Sequence, residues 1–302
     1  MEMRTLKKML FVMNPCAGQK RAGRHLTDAI AVFNRAGYEV ATYMTAGPGD
    51  AAEVVRKRAG DLDLIVCCGG DGTFNEVVTG VMHSGVRVPL GYLPAGTTND
   101  FASGLKLPTD LQAGARAIVE GKPVLYDVGQ FGDRYFTYVA SFGAFTRASY
   151  ATPQTVKNAL GHTAYVLEGI QELSQIRKEH LRLELEDGSV IEDDFVFGAI
   201  SNSTCVGGVL TLDPSRVDLR DGKFEVLLIR APRDLVELSE CIHALHTQKY
   251  NCKAITFCSA SEIRITAGEH MDWSLDGERA TGRSQVTVKN IHNAIELIQK
   301  EE

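Results

Sequence analysis

Over residues 1–125, short apolar runs alternate with segments of helical periodicity. The apolar runs, each predicted to be a strand, are residues 8–14, 38–45, 62–68 and 88–94. The run at 62–68 is continuously apolar, as in a strand buried on both faces of a parallel sheet. Between the runs, apolar positions recur at helical spacing, for example from Phe74 to Met82, with Gly85 near the end of that helix. Strands that alternate with helices predict a doubly wound α/β domain.

The pattern changes after about residue 122, where strand-like runs follow one another closely. Asp187-Gly188 lies between two alternating runs and predicts a hairpin. Helical periodicity interrupts the strands only at 155–176 and 234–246. This pattern predicts a β-rich second domain, a sandwich or two packed sheets, over residues 126–292. The first domain is then 1–125, with 293–302 returning to it.

Composition and charge narrow the function classes. The net charge of −6 argues against nucleic acid as a partner. Seven cysteines without framework spacing favour reduced thiols in the cytosol. No apolar run is long enough to cross a bilayer or to act as a signal peptide. We therefore expect a cytoplasmic protein without a transmembrane segment, whose contact with a membrane is peripheral.

The stretch Gly69-Gly70-Asp71-Gly72-Thr73 follows the third predicted strand and precedes a helix. Glycines here let a ligand approach the backbone amides, and the start of the helix favours phosphate. A carboxylate beside phosphate suggests that Mg²⁺ lies between them. The alternative is a tight turn in which Asp71 caps the helix.

Two other predicted strands end in similar loops. Residues 96–100 form one loop, and Asn14 and Gly18 belong to the other. Carboxyl ends of strands in one open sheet line a common crevice, so the three loops together favour a nucleotide site. There is no P-loop, no dinucleotide-binding fingerprint and no protein-kinase signature.

Acidic turns mark the second domain. If the domains face each other across the crevice, a carboxylate in Asp276-Gly277-Glu278 could accept a proton from an attacking hydroxyl, although an ordinary hairpin turn explains the same residues. Asp218 and Asp221 precede a strand and could bind a structural cation or simply form a turn.

These segments, in this order, resemble the bacterial diacylglycerol kinase family of soluble lipid kinases, which is related to sphingosine and ceramide kinases. The matching segments are NPCAG, GGDGTFNEVVTG, LPAGTTNDFA, SNSTCVGG, DLRDGKF and LDGE. The resemblance implies an α/β nucleotide domain and a β-sandwich lipid-binding domain, with ATP and Mg²⁺ between them. Its glycine-rich stretch is reduced here to Gly207-Gly208, and the segment 214–221 is one residue longer than the common form.

The resemblance also implies roles for individual residues. Glu278 is the expected general base, and Asp71 is the acid that engages Mg²⁺ and the nucleotide. Asp218, Asp221 and the carbonyl of Lys223 correspond to a structural Mg²⁺ site. The expected nucleotide-binding positions are Asn14, Gly18, Thr45, Gly69, Gly70, Gly72, Thr73, Thr97, Asn99 and Asp276.

The expected reaction is transfer of the γ-phosphoryl group of ATP to a lipid hydroxyl, most simply from diacylglycerol to phosphatidic acid in phospholipid biosynthesis. The protein would then act at the inner face of the membrane, and the helical stretch 156–176 is either a membrane-dipping surface or core. A homodimer is compatible with the sequence. Two alternatives remain, an NAD kinase that phosphorylates a soluble nucleotide and a non-catalytic lipid or nucleotide sensor.

Overall fold

The computed structural model describes residues 6–17, 22–143, 177–206, 210–269 and 271–300. The chain divides into two compact units. Unit 1 comprises Met1–Val128 and Ile291–Glu302, and unit 2 comprises Gly129–Asn290.

Unit 1 shows the predicted alternation of strands and helices. Its strands are β1 (Lys7–Met13), β2 (Tyr38–Met44), β3 (Leu64–Gly69) and β4 (Leu90–Pro94). Its helices are α1 (Ala22–Arg35), α2 (Asp50–Arg58), α3 (Asp71–Ser84), α4 (Asp100–Gly104) and α5 (Leu111–Glu120). Helix α3 ends, as predicted, at Gly85, which adopts the left-handed conformation (φ 68°) that glycine accepts without strain.

The sheet of unit 1 is parallel, in the order β2-β1-β3-β4, and the end of the chain's last strand pairs with β4 through Leu297. Strand β3 is buried along its whole length. Its Cys67 and Cys68 are both fully buried, and burial raises the pKa of the Cys68 thiol to about 12. Adjacent side chains of a strand point to opposite faces of the sheet, so Cys67 and Cys68 do not pair with each other. The two buried thiols therefore act as packing groups.

Unit 2 consists mainly of antiparallel strands. Helix α6 (Leu235–His246) also belongs to it. Asp234 caps α6 by accepting the Glu237 amide at 2.8 Å. The remaining strands are β5 (Lys122–Phe131), β6 (Arg134–Phe136), β7 (Val139–Gly143), β8 (Glu179–Leu185), β9 (Val190–Ser201), β10 (Cys205–Val206), β11 (Leu210–Thr211), β12 (Phe224–Arg230), β13 (Ile255–Ala260), β14 (Glu262–Thr266), β15 (Trp273–Leu275), β16 (Glu278–Ala280) and β17 (Gln285–Gln299).

Strand β9 has a central position in the β-sandwich-like fold of unit 2, because it pairs with β7, β8 and β12. One run of strands is β16-β15-β7-β9, and another leads from β9 through β8 and β14 to β17. Aromatic rings fill the core. Phe136 stacks on Phe224 at 5.4 Å between ring centroids, and Trp273 packs against Phe142 at 5.0 Å. The predicted hairpin at Asp187-Gly188 joins β8 to β9.

Within the described parts of the chain, no helix has the length and apolar character needed to cross a membrane.

Candidate active site

The carboxyl ends of β3 and β4 carry two glycine loops that touch each other. Gly69 lies opposite Pro94 in the parallel register, and the Ala95 amide donates to the Gly69 carbonyl at 2.8 Å. A Cβ atom added to Gly96 would lie 2.5 Å from the Cα of Gly70, closer than real side chains come. Glycine is required at this contact because neighbouring backbone occupies the space of a side chain.

Asp71 connects the two loops. It is the first residue of α3 and is only 7% exposed. Its carboxylate accepts the amides of Asp100 at 2.9 Å and Phe101 at 3.3 Å, which begin α4. The interpretation of Asp71 as the cap of its own helix is wrong, because the N-cap of α3 is Gly70 and the Asp71 carboxylate caps α4 instead.

The N-cap residue of α3 is a glycine and makes no side-chain capping hydrogen bond. This residue, Gly70, is extended, and the helix continues for 14 residues. The first-turn amides and the positive end of the helix dipole therefore favour an anionic group at this end of the sheet. The Asp71 carboxylate therefore positions the start of α4, and the start of α3 is a candidate site for an anion.

Asn14 and Thr73 tie the end of β1 to the first turn of α3. The Asn14 side-chain amide donates to the Thr73 hydroxyl at 3.1 Å, and the Asn14 backbone amide donates to the Cys68 carbonyl at 3.1 Å. A Cβ atom on Gly69 would lie 2.6 Å from the Cβ of Thr73. These three predicted positions, Asn14, Gly69 and Thr73, are therefore brought together.

Thr45 lies at the end of β2, where its amide donates to the Met13 carbonyl at 2.9 Å. The loop that follows is held by Glu76 of α3. The Glu76 carboxylate accepts the Gly49 amide at 2.7 Å and the Ala51 amide at 3.1 Å, and so caps the start of α2. Glu76 thus positions the Thr45 loop beside α3.

The loop after β4 is shaped by Asn99, which adopts a left-handed conformation (φ 52°). Its side-chain oxygen accepts the Gly96 amide at 2.9 Å, and its nitrogen donates to the Gly96 carbonyl at 3.1 Å. Thr97 is exposed within this loop. Asn99 therefore fixes the turn, while Thr97 is accessible to a ligand.

A buried aromatic stack backs the two loops. Phe74 of α3 stacks on Tyr92 at 4.4 Å and on Phe101 at 5.1 Å between ring centroids. Burial, reinforced by the nearby Asp71 charge, raises the pKa of the Tyr92 hydroxyl well above its usual value. The low dielectric of this stack strengthens electrostatic interactions made by Asp71.

In unit 2, Asp276 and Gly277 form the two-residue turn between β15 and β16, with φ of 49° and 86°. The Asp276 carboxylate is buried and accepts the amides of Tyr138 at 2.9 Å and Val139 at 3.0 Å, together with the amide and hydroxyl of Thr137. Burial raises its pKa, and the donated hydrogen bonds oppose that shift. The hairpin interpretation is confirmed, and the Asp276 carboxylate already has a structural task within unit 2.

Glu278 lies directly after this turn and is exposed, with 55% of its side-chain surface accessible. Its carboxylate lies 3.7 Å from the guanidinium of Arg134 on the neighbouring strand β6. An accessible carboxylate on a rigid hairpin has the chemistry of a proton acceptor.

Each predicted ligand of the structural cation has a protein partner. Asp218 accepts the Arg220 amide at 3.0 Å, Asp221 accepts the Lys223 amide at 2.9 Å, and the Lys223 carbonyl accepts the Asn290 side-chain amide at 3.0 Å. Both aspartates are therefore turn residues here, and the cation remains a prediction.

Glu225, two residues further along, was not singled out by the sequence. It is 1% exposed, and its Oε2 atom has no hydrogen-bond partner among the residues that the structure describes. Burial, followed by the charges of Asp221 and Asp218, raises the pKa of Glu225 to about 8. The concentration of negative charge at Asp218, Asp221 and Glu225 is compatible with a nearby cation. However, no three His, Cys, Asp or Glu side chains converge into a metal cage anywhere in the described residues.

Comparison of the sequence with known protein families and their members shows the family to which the chain belongs. Residues 8–131 match the model of the diacylglycerol kinase catalytic domain, and residues 139–299 match the YegS C-terminal NAD kinase beta sandwich-like domain. A Bacillus subtilis diacylglycerol kinase is 32% identical over 275 residues, covering 90% of each chain. The chain belongs to the diacylglycerol kinase family.

Other members of the diacylglycerol kinase family agree with this assignment. A Staphylococcus epidermidis diacylglycerol kinase is 31% identical over 96% of this chain and 92% of its own. The crystal structure of a Bacillus anthracis diacylglycerol kinase has a TM-score of 0.76 over 98% of both chains, at 21% identity, and so shares the fold. As a member of this family, the protein is a kinase with an alcohol group as acceptor.

The residues of unit 1 fit a magnesium ion that arrives with the nucleotide. Mg²⁺ in phosphotransferases is commonly held by one or two carboxylates together with the substrate's phosphates. Asp71 supplies one such carboxylate, and backbone amides fix its orientation. A single oriented acid at the start of a helix whose N-cap is a glycine matches this mode of binding.

Some predictions lie outside the described residues. They are the nucleotide contact at Gly18, the glycine pair Gly207-Gly208 and the helical stretch 156–176. The sequence missed Glu76 and Glu225. The one signal for Glu76 was its place in GGDGTFNE, five residues after Asp71.

Proposed function

We propose that this protein is an ATP- and Mg²⁺-dependent lipid kinase, with diacylglycerol as its acceptor and phosphatidic acid as its product. The observation that carries the proposal is the pair of touching glycine loops in unit 1, where an oriented carboxylate lies at the start of a helix whose N-cap is a glycine. In this proposal, unit 1 is the nucleotide domain and unit 2 is the lipid domain.

The start of α3 binds the phosphates of ATP through backbone amides, and Gly70 and Gly72 allow the close approach. Asn14, Thr45, Thr73 and Thr97 contribute the polar contacts around them. Bound Mg²⁺ neutralises charge that develops on the transferring phosphoryl group. The two oxygens of the Asp71 carboxylate accept the first amides of α4, and these hydrogen bonds hold the carboxylate in one orientation.

Glu278 accepts the proton of the acceptor hydroxyl. The hydroxyl oxygen forms a bond to the γ-phosphorus, the bond from that phosphorus to the β–γ bridging oxygen breaks, and ADP leaves. Asp276 supports this step indirectly, since its buried hydrogen bonds fix the turn that presents Glu278.

A diacylglycerol acceptor lies in a bilayer, so the protein must reach a membrane surface. We propose peripheral association at the inner face of the membrane, without a spanning segment. Binding to vesicles of phosphatidylglycerol and phosphatidylcholine tests this step. Co-flotation supports it, and the absence of co-flotation with either composition counts against it.

The reaction itself is tested with labelled ATP and a panel of acceptors in mixed micelles, with the products separated by chromatography. We expect labelled phosphatidic acid from dioleoylglycerol, in a reaction that EDTA abolishes. NAD is included as an acceptor. Label in NADP instead of lipid would favour the NAD kinase alternative, and the absence of ADP release with every acceptor would favour a non-catalytic sensor.

A further inference from the structure

Two buried thiols of unit 2 touch each other. Cys241 lies on α6 and Cys252 lies in the segment before β13. Their sulfur atoms are 3.4 Å apart, and the two residues are 3% and 8% exposed. The contact joins a helix to a segment that follows it in the chain.

Arg230, at the end of β12, fixes both sides of this contact. Its guanidinium pairs with Glu237 of α6, and both side chains are largely buried, at 13% and 12% exposure. Its backbone amide donates to the Ala254 carbonyl at 2.9 Å, and its Nε donates to the Lys253 carbonyl at 3.3 Å. The same residue therefore anchors the helix of one thiol and the segment of the other, so the sulfur atoms are held close by a rigid framework.

The cysteines at positions 16, 67, 68 and 258 lack this arrangement. Cys67 and Cys68 are adjacent on β3, so their side chains point to opposite faces of the sheet. Cys16 is exposed, and Cys258 is half-buried on β13. The Cys241–Cys252 pair combines contact distance with a fixed backbone on each side.

We propose that Cys241 and Cys252 form a redox-active dithiol that closes to an intramolecular disulfide. The oxidant is a low-molecular-weight disulfide. The Cys252 thiolate, which is the more exposed of the two, attacks one sulfur of the oxidant and releases one small thiolate. The Cys241 thiolate then attacks the Cys252 sulfur of this mixed disulfide and releases the second small thiolate. The protein loses two protons and two electrons, and the oxidant is reduced to two thiols.

The surroundings make this a slow reaction that yields a durable product. Burial raises the pKa of Cys241 to about 12, and the hydrogen bond with Cys252 adds to the shift. The thiolate is the reacting species, so the second step accelerates as the pH rises. A disulfide that joins a helix to a nearby segment restricts the unfolded chain and stabilises unit 2.

Peptide mapping of the intact protein tests the proposal directly. Trypsin cuts after Arg233, Lys249 and Lys253, so residues 234–249 and 250–253 stay joined only through a Cys241–Cys252 disulfide. After incubation with oxidised glutathione under native conditions, we expect the linked pair in non-reduced digests and its loss on treatment with dithiothreitol. The thermal midpoint should rise by several degrees on oxidation and return on reduction.

Two variants provide the controls. Cys252→Ala should abolish both the linked peptides and the oxidation-dependent rise of the thermal midpoint, whereas Cys258→Ala should leave both intact. The proposal is overturned if the native wild-type protein forms no linked pair, or if the pair forms only after denaturation.

Discussion

Two Asp-Gly pairs, one in each unit, show how the same dipeptide serves different purposes. Asp71-Gly72 begins a helix, and Asp276-Gly277 forms a two-residue hairpin turn. Both carboxylates are buried and both accept backbone amides from a distant segment. In unit 1 the buried acid is the first residue of α3, whereas in unit 2 it supports a two-residue turn, and Glu278, which follows that turn, is exposed.

This comparison separates positioning from chemistry. In unit 1, the residue that we assign to the chemistry is itself locked in place by amides. In unit 2, two nearby residues have separate roles. Asp276 stabilises the turn, and we assign the proton transfer to Glu278. Substitutions should therefore affect stability and activity together in unit 1 but separately in unit 2.

The largest effect should follow Glu278→Gln. Loss of a well-placed general base lowers turnover by about 10²–10⁴-fold. Because Glu278 is exposed, the free energy of unfolding of the variant should differ from that of the wild-type protein by less than about 0.5 kcal/mol. Initial rates of lipid phosphorylation and urea unfolding measure the two quantities. Asp133→Asn is the matched control, an exposed acid of unit 2 in an arginine ion pair, and should leave turnover unchanged. Near-normal turnover in Glu278→Gln would remove that residue from the mechanism.

Glu225 should make stability depend on pH. Its pKa is raised from 4.5 to about 8 in the folded protein. Between these values the unfolded chain releases the proton and the folded protein keeps it, so the free energy of unfolding falls as the pH rises. The loss is a few kcal/mol by linkage and is complete above the folded pKa.

Urea unfolding from pH 5 to pH 8.5 in EDTA measures this dependence. Glu225→Gln should flatten the curve, because the amide does not titrate. The same pH dependence in the variant and the wild-type protein would show that Glu225 does not cause it. A repeat with Mg²⁺ tests whether a cation relieves this cluster of acids.

Asp276→Asn should destabilise unit 2 by roughly 2–4 kcal/mol, because buried amide donors would face a side chain that is no longer purely an acceptor. Asp187→Asn provides a matched Asp-Gly turn, in which the exposed Asp187 accepts the Ser189 amide at 2.8 Å. We expect that control to lose less than about 1 kcal/mol. Equal losses in the two variants would contradict the structural task assigned to Asp276.

The smallest effect should follow Glu76→Gln, which weakens the cap of α2 by about 1 kcal/mol. The looser Thr45 loop should raise the KM for ATP several-fold while kcat changes little. Glu53→Gln, on the exposed face of α2, is the control and should leave KM unchanged. A change in kcat with an unchanged KM would argue against a positioning role for Glu76.

The sequence predicted the strand–helix alternation of unit 1 because that pattern depends on local periodicity. It also predicted glycine loops at the strand ends, but it attributed these glycines to the approach of a ligand, and the contact between Gly70 and Gly96 appears only in the structure. It did not reveal that Asp71 caps α4 or that Glu76 caps α2. Those contacts join segments about 25–30 residues apart, and only the packed fold brings them together.

Unit 2 was harder to predict in detail. The sequence pattern divides this region at residue 292 between the two predicted domains. In the structure it forms one strand, Gln285–Gln299, that takes part in both units. Glu225 is the only acid in β12, whose other residues from Phe224 to Ile229 are apolar, and nothing in this run predicts that the acid is buried. Here both faces of β12 are buried, because the rest of unit 2 covers them.

The most direct test of the account is calorimetric titration of Asp71→Asn and Glu278→Gln with a non-hydrolysable ATP analogue, with Mg²⁺ and in EDTA. We predict that Glu278→Gln binds the analogue like the wild-type protein and keeps the gain in affinity from Mg²⁺. Asp71→Asn should lose most of that gain while its thermal unfolding remains cooperative. If Asp71→Asn keeps the full magnesium-dependent gain, the assignment of Mg²⁺ and nucleotide to the loops of unit 1 is contradicted.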